Sequence, residues 1–75
     1  MSDELELRLR LYCARYDWTM ARVADVLGIT ANTLLLKRKG RREFTSKELF
    51  LLSELLDMSM VDLFDILPEV NHAEV

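Results

Sequence analysis

The residues of this 75-residue chain that could support chemistry form one dense group and a few isolated positions. The group is Lys37, Arg38, Lys39, Arg41, Arg42 and Lys47, six bases against the single acid Glu43, a local surplus of five positive charges. Such a run suits anions, and phosphate above all, because guanidinium and ammonium groups make charge-assisted hydrogen bonds to its oxygens. Just upstream stands Asn32, whose amide can both donate to and accept from one adenine edge; capping Thr30 or holding a water is its plainer use. Of the isolated positions, Cys13 has no second cysteine to pair with and reads as a small apolar residue of a reducing compartment. His72 sits in a polar tail with no role. There is no His–carboxylate pairing, no phosphate-binding glycine loop and no metal cluster, so neither catalysis nor a cofactor is expected.

The whole chain carries a net charge of −3, which taken alone argues against nucleic acid. Its distribution argues otherwise. Residues 48–75 hold seven acids and no Lys or Arg, so the molecule is a dipole with one basic end. No apolar run approaches the ~20 residues of a membrane span, and the acidic opening MSDELE does not resemble a signal peptide. A cytoplasmic protein without a membrane partner is expected.

To position the basic group, the sequence offers helices. Two glycines and one proline in a chain that is 51% hydrophobic disfavour a many-turned β fold. An all-α domain over residues 1–67 with a short tail, 68–75, is predicted. Ser2 can cap a first helix in which Leu5, Leu9, Tyr12, Cys13 and Tyr16 recur at helical spacing, with Leu7 and Leu11 widening the apolar face. After a turn at Asp17-Trp18, Thr19 caps a second helix to Leu27, with Val23, Ala24 and Leu27 inward. Gly28 should end it in a left-handed conformation. Thr30 then caps a third helix to Arg38 or Lys39, stopped by Gly40. Thr45-Ser46-Lys47-Glu48 fits a capping box for a fourth helix built on Leu49, Leu52, Leu55 and Leu56, with Phe50 and Leu51 at its margin. Asp57-Met58 breaks that helix. Ser59 caps a fifth, containing Val61, Leu63, Phe64 and Leu67, and Pro68 opens a frayed tail.

Counted from Met20, six residues hold positions with a physical purpose in a tight two-helix corner. Val23, Leu27, Ile29 and Leu34 pack it, Ala24 is small where the helices cross, and Gly28 supplies the turn. Over about residues 5–66, TMARVADVLGITANTLLLKRKG followed by LFLLSELLDMSMVDLF resembles the small phage and prophage repressor and Cro-like helix-turn-helix family (Xre-type DNA-binding domains). KRKGRREFTSKEL is similar to a branch common among phage regulators.

The resemblance implies a compact five-helix lambda-repressor-like fold. It makes Thr30, Ala31, Asn32, Leu35, Leu36 and Lys39 the exposed positions of a recognition helix near residues 30–39. Arg41, Arg42 and the amides at Phe44 and Thr45 become phosphate contacts, and a helix start beside two arginines is an anion site on physical grounds too. Three departures from the pattern involve four positions. Met20 replaces a frequent glutamine. Lys37 stands where the family is usually apolar, its stem expected over the core and its ammonium reaching for phosphate or solvent. Leu35 and Leu36 replace polar readers; leucine can read chiefly the thymine methyl, or else it turns to a protein.

These features together predict a sequence-specific DNA-binding regulator occupying a double-stranded operator as a homodimer, with no cofactor. Met58, Met60, Phe64, Ile66, Leu67 and Val70 form the expected dimer surface. The alternative is a helix-turn-helix domain that binds a protein, such as a second regulator, in the manner of an antirepressor or antitoxin.

Overall fold

The computed structural model describes residues 3–70. Ser2, with the cap expected of it, and His72 lie outside the described residues. Within them the chain is all-α: α1 (Glu4–Tyr16), α2 (Met20–Leu27), α3 (Ala31–Arg38), α4 (Ser46–Leu55) and α5 (Met60–Ile66).

Four of the five helices start on a hydroxyl. Thr19, Thr30, Thr45 and Ser59 accept from the amides of Arg22, Thr33, Glu48 and Asp62. Each bond satisfies one of the donors that a helix start leaves unpaired. Asp3 precedes α1 without a side-chain cap. Four helix ends share a second device, a single left-handed residue at Asp17, Gly28, Gly40 and Asp57. The amide after each reaches back to a carbonyl five residues earlier: Trp18 to Cys13, Ile29 to Ala24, Arg41 to Leu36 and Met58 to Ser53, at 2.9–3.0 Å. This closing pattern reverses the chain within two residues, which is how five helices fit into so short a sequence.

The core is ten residues drawn from every helix: Leu5, Leu9, Val23, Ala24, Leu27, Leu34, Leu49, Leu52, Leu63 and Ile66. All the corner residues take their expected places. Val23, Ala24, Leu27 and Leu34 are buried, Ile29 packs against them, and Gly28 is left-handed at φ 75°.

Three expectations need correction. Leu7 and Leu11 do not widen the buried face of α1; they stand 55% and 58% exposed. Residues two positions from Leu5 and Leu9 lie some 200° around a helix, on its far side. Phe50, placed at the margin of α4, is likewise exposed. The segment after Pro68 is not frayed at its start. A side chain at Gly40 would meet the Glu69 carbonyl oxygen at 2.5 Å, so the Glu69 backbone and the Pro68 ring lie directly against that glycine.

Candidate nucleic-acid interface

The basic segment divides by what each side chain touches. Lys37, on α3, is 4% exposed, and its ammonium donates to Glu48 Oε1 on α4, itself 6% exposed. The same oxygen accepts from the Thr45 amide at 3.0 Å, completing the capping box. Burial works against ionisation of Glu48. The Lys37 ammonium and the Thr45 amide outweigh it and hold the carboxyl below its ordinary value. Two expectations fail here for one reason. Lys37 does not reach for phosphate or solvent, and the Thr45 amide is not free for an anion, because Glu48 takes both.

Arg38 also turns inward. Its Nη1 donates to both Glu6 oxygens at 2.9 Å, tying the end of α3 to α1, and Arg10 donates to the same carboxylate at 2.7 Å. Burial again opposes the charge on Glu6, while Arg10 and Arg38 together lower its pKa. Cys13 is half-buried, and loss of hydration raises its thiol above the usual range despite nearby Arg38.

Lys39, Arg41, Arg42 and Lys47 remain exposed. They follow α3 and lead into α4, with Gly40 at φ 76° setting the direction of the loop. At the other end of α3, Ala31 and Asn32 are exposed on its first turn. Thr30 holds Thr33 rather than Asn32: its hydroxyl accepts the Thr33 amide at 3.1 Å and donates to the Thr33 hydroxyl at 2.9 Å. The Asn32 amide is therefore not spent on the cap. Thr30 and Thr45 are exposed, but each is committed to its helix start.

Leu35 and Leu36 are both half-buried, and neither belongs to the core. Neither is the fully exposed leucine expected to face a groove. One basic residue without a place in the sequence reading, Arg22, sits on the first turn of α2 with its guanidinium 4.1 Å from the Trp18 ring centroid. Arg at i+4 after Trp, across a capping threonine, is a pattern from which that contact could have been anticipated.

The proposed dimer surface also separates. Ile66 is a core residue at 6% exposure, and Met58, Met60 and Leu67 pack against the core. Val70 is half-buried. Phe64 is 57% exposed, and Val61, which sequence reasoning did not assign, is 71% exposed. The two stand at i, i+3 and share a face of α5.

Comparison with protein-family models, with curated proteins and with solved structures gave no match.

Proposed function

We propose that the chain is a sequence-specific DNA-binding regulator of the Cro-like or small-repressor type, acting on a double-stranded operator as a homodimer. One observation carries the reading. The exposed first turn of α3, with Ala31 and a disengaged Asn32, and the exposed Lys39, Arg41 and Arg42 flank a helix joined to α2 by the left-handed Gly28. In this reading α3 enters the major groove, Asn32 pairs with a base edge, and Lys39, Arg41 and Arg42 hold phosphates on either side. Lys37 and Arg38 brace the helix from behind. Val61 and Phe64 join the two copies, so that two half-sites one helical turn apart are engaged together.

Salt dependence tests it. Every phosphate the protein no longer neutralises flattens the slope of log affinity against log salt by about 0.9. Arg41→Glu with Arg42→Glu should weaken binding to operator and random duplex alike and reduce that slope by about 2 per copy. Asn32→Ala should instead lower affinity for a selected operator by ~1–3 kcal/mol and leave random duplex nearly unchanged. If the double charge reversal leaves binding intact, or wild type binds no duplex at low salt, the reading fails.

A protein-binding role is the second reading. It draws on solvent-facing Leu7, Leu11, Phe50, Val61 and Phe64, more large apolar surface than so small a domain needs.

A further inference from the structure

α1 has two apolar faces, and the fold uses one of them. Leu5 and Leu9 point inward at 1% and 0% exposure. Leu7, Leu11 and Ala14 recur at i, i+4 and i+7 on the opposite side and all three are exposed. Spacing of that kind on a solvent face is the seam pattern of paired helices.

The charges beside this stripe are ordered along the helix. Glu4 lies at its start and Arg15 in its last turn, both exposed and only about 20° apart around the axis, so they share one flank. If a second α1 lies antiparallel on the stripe, a two-fold axis sets Leu7 against the partner's Leu11 and Leu11 against the partner's Leu7. The same operation keeps each flank on its own side, so Glu4 meets the partner's Arg15 at one end and the reverse holds at the other. Nearer the axis Arg8 lies 3.3 Å from Glu4, a carboxylate it would share with the partner's Arg15, and Arg10 lies 2.7 Å from Glu6, which Arg38 also holds. A parallel pairing would instead send the two flanks to opposite sides and leave Glu4 and Arg15 at different ends, so that the two never meet.

We propose that the outer face of α1 is a self-association surface that binds a second copy of this chain antiparallel, leucine to leucine, with Glu4–Arg15 pairs closing both ends. Two leucines from each copy cover far less than the ~1,200 Å² of a stable interface, so the contact is weak, about millimolar. It gains force where copies are already held side by side. Two copies joined through α5 would each still present α1, and the two contacts together would string copies into a row. That extension rests on the α5 pairing proposed above; the α1 contact does not.

Amide spectra of the full chain without DNA, recorded from ~0.05 to ~2 mM, test the contact. Amides of α1 should shift together along a monomer–dimer curve, and Leu7→Lys with Leu11→Lys should abolish those shifts while the far-ultraviolet spectrum stays helical. Glu4→Arg and Arg15→Glu, each alone, should weaken the association about threefold to tenfold, two exposed pairs being affected. Mixing the Glu4→Arg chain with the Arg15→Glu chain restores opposite charges at both ends of the mixed pair and should recover wild-type association. Absence of concentration-dependent shifts in α1, their survival in the double lysine variant, or no gain on mixing would each overturn the proposal. Because no DNA is present, none of these results bears on operator binding.

Discussion

Replacing Lys37 by methionine separates a buried ion pair from a phosphate contact, because the two assign opposite consequences to one side chain. The methionine keeps the apolar stem and removes the ammonium, leaving the Glu48 carboxylate 6% exposed with the Thr45 amide as its remaining donor. Breaking a buried pair from one side costs about 3–5 kcal/mol, since the other charge is left uncompensated. The surviving amide bond puts the cost near the lower end. For 75 residues the total stability is of order 4–11 kcal/mol, so even 3 kcal/mol lowers the melting temperature by roughly 12–24 °C. Adding Glu48→Gln removes the stranded charge, and glutamine still completes the capping box. The double variant should therefore return to within about 1 kcal/mol of wild type, a coupling of about 2 kcal/mol or more between neighbours.

The pH dependence has a defined sign. Glu48 has a lowered pKa in the folded chain, so its contribution is complete above the ordinary carboxylate value of 4.5 and disappears as pH falls through the folded value. In Lys37→Met the ammonium no longer supports that lowering, and burial then favours the protonated acid. The urea midpoints of wild type and variant should converge as pH falls from 7 towards 4. Urea titrations of wild type, Lys37→Met, Glu48→Gln and the double variant at both pH values provide the measurement. A cost below about 1 kcal/mol at pH 7, or a double variant no better than the single one, would show that the ammonium lies in solvent, free for phosphate.

Gly28→Ala and Gly40→Ala should differ although both residues are left-handed. A Cβ at Gly28 meets nothing within 4 Å and costs the backbone term of ~1–2 kcal/mol, whereas at Gly40 it also collides with the Glu69 carbonyl; thermal melts should rank Gly40→Ala clearly lower. Asp57 is left-handed at φ 54° with a side chain, so Asp57→Gly should raise stability by about 0.5–1 kcal/mol in urea titration. Val61→Glu with Phe64→Ala should leave the melt near wild type and, on the proposed α5 pairing, remove association in sedimentation. Ile66→Glu, by contrast, should unfold the chain, because Ile66 is core.

The helices were legible because their punctuation is local. Thr19, Thr30, Thr45 and Ser59 act within their own first turns, and Gly28 and Gly40 need no distant partner to favour a left-handed turn. Asp57 and Asp17 were found as breaks for the same reason. Periodicity was less informative where a helix carries apolar residues all round. Leucines stand on both sides of α1; how wide a face the core takes is decided by the other helices, and only packing reveals it. The exposure of Phe50 and the burial of Ile66 have the same origin. Lys37–Glu48 and Arg38–Glu6 were hidden for a stronger reason. They join residues 11 and 32 positions apart, and the lysine and arginine of a basic run look alike until the acid that meets each is placed.

That placement changes the electrostatics from which a DNA-binding reading starts. Six bases against one acid in residues 37–47 suggest a continuous phosphate-binding edge, but Lys37 and Arg38 have their charges answered from inside the protein. Four bases remain on the surface, and they are discontinuous: Lys39, Arg41 and Arg42 around Gly40, then Lys47 on the first turn of α4. The inward pairs have their own effect. Lys37 ties the last turn of α3 to α4 and Arg38 ties it to α1, so the helix that would read DNA is fixed at its C-terminal end by two ion pairs and at its N-terminal end by the Thr30–Thr33 cap. A reader held at both ends gives up little entropy when it docks, and a smaller phosphate footprint leaves a larger share of affinity to the base contacts. In the proposed DNA-binding reading, charge committed to bracing α3 thus exchanges general attraction for the rigidity that reading through one asparagine would require.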